Sequence, residues 1–313
     1  MEEVINLNII YEGVDISDSI EVLKADIYDN AGGIADNVEL VLSDTIGLWS
    51  KWKPKKGDKI EVINEDFSSG MMFVDYLEQI RGEFIIKAIS LPPKAKTPNA
   101  KLWENIRLLK LAEEIANKYG FILQTYGVRD WQYRHVDQIE QPDFEFLAYR
   151  CLLEGYMLKI CNNKIIIYDE RTQEQQDAII TVNMDDIDGS YNFKSISTGL
   201  FKSCLVYCST VNGLIKSSFE PLHEYIGPVL KRNIYVDNHE EANRFAKGLL
   251  RAVNKKENTG RVQIKLNSEL AAGSNLYIDQ IGFGDGKYFI EQIVHRLTEG
   301  KSLLRLRRPL EEY

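Results

Sequence analysis

The residues best suited to chemistry are few, and they do not converge on one reaction. The densest acidic group is Asp185-Asp186-Ile187-Asp188-Gly189. Carboxylates this close could hold Ca²⁺ or supply the acid and base of glycoside cleavage. Calcium loops of the familiar kind need more oxygen ligands in a fixed order, so an acidic turn between domains is the better reading. His135, His223, His239 and His295 stand apart from one another. A histidine outside any motif is more often a surface or core residue than a catalytic one. Cys204 and Cys208 fall on one face of a strand-like stretch, about 13 Å apart, too far to share one ion. With Cys151 and Cys161 they are expected to be free thiols, buried in a reducing compartment. Trp103, Trp131 and Tyr133, with Arg129 and Arg134, could stack on sugars or bases, but aromatics of this size more commonly anchor a small core. There is no nucleophile elbow, phosphate-binding P-loop or H-E-x-x-H pair in the sequence. Gly282-Phe283-Gly284-Asp285-Gly286 lacks the phosphate-binding spacing and reads as a hairpin loop. No cofactor is implied.

The composition narrows the class. The 313 residues are 44% apolar and 27% charged, ordinary for a globular chain of two or three domains. No apolar run approaches the roughly 20 residues that span a bilayer, and Met1-Glu2-Glu3 is not a secretory or transit leader. Synthesis and folding in the cytosol, without a membrane partner, are expected. Lys+Arg 38 against Asp+Glu 47 leaves a net charge of -9. That argues against phosphate-neutralising nucleic-acid binding, though not against a conduit through which DNA passes. The one basic cluster, Arg305, Arg307 and Arg308, lies in an alternating pattern and is expected on a solvated strand face.

These residues are carried by a mainly β chain with an α+β insert. Residues 1–93 read as all-β, with strands expected over 4–11, 20–28, 38–42, 60–62, 73–79 and 84–89. Pro92, Pro93 and Pro98 mark a boundary. Residues 94–186 read as a small α+β domain. Leu108, Leu111, Ala112, Ile115, Ala116 and Tyr119 recur at helical spacing, with Gly120 as the stop. A second helix starts at Pro142 and ends at Gly155, and a hairpin turns over 162–164. Residues 187–313 return to strands, including 201–208 and 214–217 joined across 212–213. One helix interrupts them at about 239–254, opened by Asn238 with Glu241 three residues on.

The β regions at the two ends share a segment. Gly57-Asp58-Lys59-Ile60 leads to Gly70 and then Phe73-Val74-Asp75; Gly273-Ser274-Asn275-Leu276 leads to Gly286 and then Phe289-Ile290-Glu291, at the same spacing. Each copy continues through a strand, a glycine turn and a second strand, closing on Pro92 and on Pro309. Self-similarity of this kind is a fold-level signal, and a chain with one β module at each end can present two similar surfaces.

The middle of the chain resembles the phage late-control D proteins, the baseplate hubs of contractile tails. Asp143, the pair Phe146-Leu147, Arg150 and the pair Gly155-Tyr156 match that family's helix motif, while Pro142 stands where the family has a Ser or Thr neighbourhood. Glu241-Ala242, Ala246, Leu250 and Asn254, then Gly273 and Asp285-Gly286-Lys287-Tyr288-Phe289, are similar to its C-terminal part. The N-terminal part of type VI secretion spike proteins is a relative of that family. The resemblance covers 94–313 by motif and 1–93 by architecture. It implies two similar small β-barrel tube domains, 1–93 and 187–313, flanking the α+β domain. It also implies a non-enzymatic homotrimer that joins a hexameric tail tube to a trimeric spike beside other baseplate proteins, made in the bacterial cytoplasm and built into the particle. The chain stops at Tyr313 with no spike or lysozyme-like module, which argues against a complete spike protein. The alternatives are a cell-wall hydrolase using Asp185, Asp186 and Asp188, or a glycan-binding tail protein using Trp103 and Trp131.

Overall fold

The structure, a computed structural model, describes residues 7–65, 67–211, 213–310 and 313. The acidic residues 1–3, the first part of the strand expected over 4–11, and Asn212 of the expected 212–213 turn lie outside the described residues. The rest of that strand is present as Leu7–Tyr11.

The first β unit contains β1 (Val22–Asn30), β2 (Asn37–Ser43), β3 (Lys59–Asn64), β4 (Met72–Ile80) and β5 (Glu83–Ile89). In space they lie in the order β1-β2-β5-β4-β3, with Leu7–Tyr11 beyond β3. Alternation sets the inward face: Val38, Leu40 and Leu42 of β2 and Ile86 and Ala88 of β5 are fully buried, and their neighbours are not. Burying each of the larger of these side chains is worth about 1.5–3 kcal/mol. A short helical turn, Leu48–Trp52, brings Trp49 into this core, where it stacks on Phe84 at 5.5 Å. Asp44 accepts from the Trp49 backbone N–H at 3.0 Å.

The middle region is built on α1 (Leu108–Tyr119) and α2 (Asp143–Leu153). Strands Pro98–Arg107 and Gln132–Pro142 pair with each other, and Ile122–Tyr126, Lys164–Asp169 and Tyr156–Cys161 form a second small sheet. The sequence pattern did not indicate the Pro98–Arg107 pairing or the short α3 (Glu170–Gln175) that follows the second sheet.

The second β unit contains β6 (Ile187–Ser195), β7 (Asn258–Lys265), β8 (Asn275–Ile278), β9 (Gly286–Arg296) and β10 (Lys301–Arg307), in the spatial order β6-β7-β10-β9-β8. Between β6 and β7 the chain leaves the unit. It forms a three-stranded sheet (Ser203–Thr210, Gly213–Phe219, Val229–Asn233) and the helix α4 (His239–Asn254). The boundaries at 93/94 and 186/187 would leave this excursion with the second β unit. Its apolar side chains are instead continuous with the middle region: Val206, Phe245, Ala246 and Leu250 share one core with Leu111, Leu147 and Cys151. The reason is geometric. Gly248 of α4 lies against the carbonyls of Leu152 and Leu153 at the end of α2, an approach that only a residue without Cβ permits.

Candidate functional site

The most extensive recurring geometry among the described residues is the duplication and the contacts that fix its two copies. In the first copy Gly57 donates to the Val74 carbonyl (2.7 Å) and Val74 donates to Asp58 (2.8 Å). In the second, Gly273 donates to Ile290 (2.9 Å) and Ile290 to Ser274 (2.9 Å). Both glycines have positive φ, +92° and +99°. Lys59 faces Phe73 as Asn275 faces Phe289. Val74 faces Ala88 as Ile290 faces Leu306. A bulge then falls on Asp75 in β4 and on Glu291 in β9. After it, Tyr76 faces Lys87 as Gln292 faces Arg305. The hairpin length differs, Arg81-Gly82 in the first copy and 297–300 in the second, and so does the outer neighbour, antiparallel Leu7–Tyr11 beside β3 and parallel Ala178–Val182 beside β8. The equivalence runs outward as well. Val38 of β2, which faces Ala88, pairs with Ile27 of β1; Gly260 of β7, which faces Leu306, pairs with Phe193 of β6.

The two copies join through backbone. Past its bulge, β9 leaves β8 and runs antiparallel to β1, with Gln292 opposite Asn30 and Arg296 opposite Asp26. A bulge bends a strand and raises its twist, which is what this change of partner requires. The Gln292 side chain donates to Asn30 Oδ1 at 2.7 Å, and the Ala31 N–H donates to Glu291.

Two buried ionic clusters tie the units to the middle region. Lys159 of the strand Tyr156–Cys161 pairs with Asp29 of β1 and lies 3.7 Å from Asp36. Asp29 also accepts from the Ala272 N–H at 2.6 Å, just before Gly273. Burial pushes Asp36 up to about 7; Lys159 opposes the shift and Asp29 adds to it. The second cluster centres on Arg307 of β10, which is fully buried. Its guanidinium meets Glu170 of α3 at 2.9 Å, Glu174 at 2.5 Å and Glu291 at 3.3 Å, and lies over the Phe289 ring. Arg251 and Lys255 approach the same glutamates from the α4 side. Burial opposes the charge on Glu170, but Arg307, Lys255 and Arg251 outweigh it and hold the carboxyl well below its ordinary range. The solvated strand face expected for Arg305, Arg307 and Arg308 therefore holds for Arg305 alone. Arg307 is enclosed because Glu170 and Glu174 of α3 and Glu291 of β9 close on its guanidinium, and Arg308 is half-buried against Tyr288.

The motif residues of the middle region come together around α2. Asp143 opens the helix. Burial disfavours its charge, yet Lys118 (2.6 Å), Gln138 (2.7 Å), Asn99 (3.2 Å) and Tyr119 (2.9 Å) donate to it and lower its pKa. Phe146 stacks on Trp103, and Leu147 is fully buried. Arg150 lies between the rings of Tyr133 and Phe245, 3.8 Å from Glu241 of α4. Gly155 turns the chain at φ +80°, and the Tyr156 hydroxyl accepts from the Trp131 indole at 3.1 Å. Trp131 itself is held between Arg129 and Arg244. Of the C-terminal motif positions, Gly273 and Gly286 flank β8; Asp285 accepts from Ile281 and Gly282 and closes the loop; Tyr288 packs on Phe193.

Asp185, Asp186 and Asp188 line one open cleft of about 440 Å³. Asp186 accepts from the Asn183 N–H, and Asp188 pairs with Lys301 at 3.6 Å. Among the described residues no group of three His, Cys, Asp or Glu is placed to hold a metal ion, and no helix is long and apolar enough to cross a membrane.

No family model and no curated protein matches the sequence. Solved structures do match the fold. The 43 kDa tail protein of prophage MuSo2 from Shewanella oneidensis covers 97% of this chain and 98% of its own, with a TM-score of 0.75 at 13% identity. A tail protein from Neisseria meningitidis gives 0.75 at 12% identity over 96% and 95%. An Escherichia coli type VI secretion component, described as similar to the phage T4 tail proteins gp27 and gp5, gives 0.56 at 10% identity over 94% and 75%. The fold of this chain, mainly β with an α+β insert, is thus that of phage tail proteins and of their type VI secretion counterpart.

Proposed function

We propose that this chain is a structural, non-enzymatic baseplate hub of a contractile phage tail or tail-like particle. Three copies form a homotrimer whose six β units make a pseudo-sixfold ring. One side of the ring meets a hexameric tail tube; the other, truly threefold, meets a trimeric spike, and the middle regions face other baseplate proteins. The observation that carries this reading is the duplication: two units with one strand order, one register and one bulge position lie at the two ends of a shared sheet. Near-equivalent contacts to a sixfold partner need near-equivalent units, and a chain with two of them needs three copies. The full-length likeness to tail proteins supports the same reading.

The test is the mass in solution by light scattering over a range of concentrations, alone and with the tube protein. About three times 36.0 kDa is expected. A single-chain mass under all of these conditions refutes the trimer. Cell-wall zymography is expected to show no clearing; clearing that is lost in Asp185→Asn, Asp186→Asn or Asp188→Asn would refute the non-enzymatic reading.

A further inference from the structure

The junction between the two units inside one chain specifies the junction between chains. Two strand edges are left open. Beyond Phe73, β4 has β5 on one side and, among the described residues, no strand on the other. At the far end of the sheet, β6 pairs, among the described residues, only with β7. These are the positions that the duplication equates with the joined pair: β4 with β9, and β6 with β1. The exposure follows the pairing. Of the joined positions, Val294, Asp26 and Asn30 are buried and Gln292, Arg296 and Tyr28 half-buried, whereas their equivalents Glu78, Asn192, Ile196, Tyr76, Ile80 and Lys194 are all exposed.

We infer that β4 of one copy pairs antiparallel with β6 of the next copy of this chain, in the register that β9 takes with β1. This rests on the trimeric reading above and gives that trimer its interface. Val294 faces Tyr28 within the chain, so Glu78 faces Lys194 of the next chain. Gln292 faces Asn30, so Tyr76 faces Ile196; Arg296 faces Asp26, so Ile80 faces Asn192. The side chains suit one another. Glu78 and Lys194 are opposite charges, and Lys194 makes no ion pair among the described residues. Tyr76 and Ile196 are 42% and 37% exposed apolar side chains that this pairing would cover. Open edges are templates for a further strand, and two complementary edges on one molecule give a head-to-tail contact that closes into a ring when the rotation allows.

Cysteine cross-linking tests the register directly. Residues directly opposite in an antiparallel pair have Cβ atoms about 4.5–5.5 Å apart, and diagonal neighbours about 7–8 Å. The double variant Glu78→Cys/Lys194→Cys, oxidised mildly, is expected to give linked species that stop at three chains. Mixing the two single variants should give two-chain species and no more. The diagonal control Glu78→Cys/Asn192→Cys should link at least tenfold less, and the parent chain, whose four thiols are Cys151, Cys161, Cys204 and Cys208, should not link. Linkage in the named register upholds the pairing whatever the mass of the unlinked chain. A three-chain mass with linkage absent, or equal in the diagonal control, overturns the pairing and leaves the hub reading standing. A single-chain mass with no linkage overturns both.

Discussion

Replacing Arg307 with methionine isolates what the buried ionic cluster contributes. Three cations, Arg307, Arg251 and Lys255, balance three carboxylates, Glu170, Glu174 and Glu291, and Arg307 touches all three acids. Each contact is worth up to about 4 kcal/mol at an effective dielectric constant of 20, before the cost of removing the ions from water. That cost is already spent on Glu170 and Glu174, so Arg307→Met leaves these two buried and short of one charge, while Glu291 keeps part of its contact with water. A loss of about 3–5 kcal/mol at neutral pH is expected, measured by urea unfolding followed through tryptophan fluorescence. Acid supplies the internal control. Glu170 is held below its ordinary 4.5, so its stabilising contribution is present above that pH and is lost as pH falls toward the folded value. In the variant its folded pKa rises, because one of the three cations that depress it is gone. The penalty of Arg307→Met should therefore shrink as pH drops below about 4.5. Arg307→Lys should recover part of the loss, since it keeps the charge but not the forked geometry. A penalty under about 1 kcal/mol, or one that stays constant with pH, would show that the side chain acts through packing on Phe289 and refute the electrostatic account.

Two further outcomes follow from the same contacts. Asp36 retains its proton to about pH 7 when folded but loses it near 3.8 when unfolded, so it costs stability increasingly between those values. Asp36→Asn should gain on the parent as pH rises through that window, by at most about 1.4 kcal/mol per unit, then level off; urea midpoints that differ by a constant amount across it would contradict this. Gly248→Ala should destabilise by about 2 kcal/mol although alanine favours helices by about 1, because the new methyl would lie 2.4 Å from the Leu153 carbonyl. An unchanged or higher urea midpoint would mean that α4 can move off α2 at little cost.

Element types were legible wherever a local period or a turn residue encodes them. The helices at 108–119 and 239–254 follow from apolar spacing and end signals, and most strands of the first unit from alternation. The short turn carrying Trp49 and the helix Glu170–Gln175 were not, because at five and six residues they are shorter than two helical turns and show no period. The motif residues around α2 were picked out by their resemblance to a family motif, but the contact of Arg150 with Glu241, about ninety residues along the chain, lies beyond any local pattern.

The sequence by itself determined that the chain carries the same strand, glycine turn and strand twice, because the paired glycines, the Phe-aliphatic-acid run and the alternating apolar residues are local requirements written at each position; the bulge on the acid was seen only in the structure. The tertiary structure decided everything that depends on what covers a face. It enclosed Arg307, which by alternation alone would be solvated, because α3 brings the carboxylates of Glu170 and Glu174 onto its guanidinium. It gave residues 200–254 to the middle core, because a glycine lets α4 touch α2. It joined β9 to β1 and, among the described residues, left β4 and β6 open, a choice of strand partner made by contacts between segments more than two hundred residues apart, about which a period of two residues carries no information.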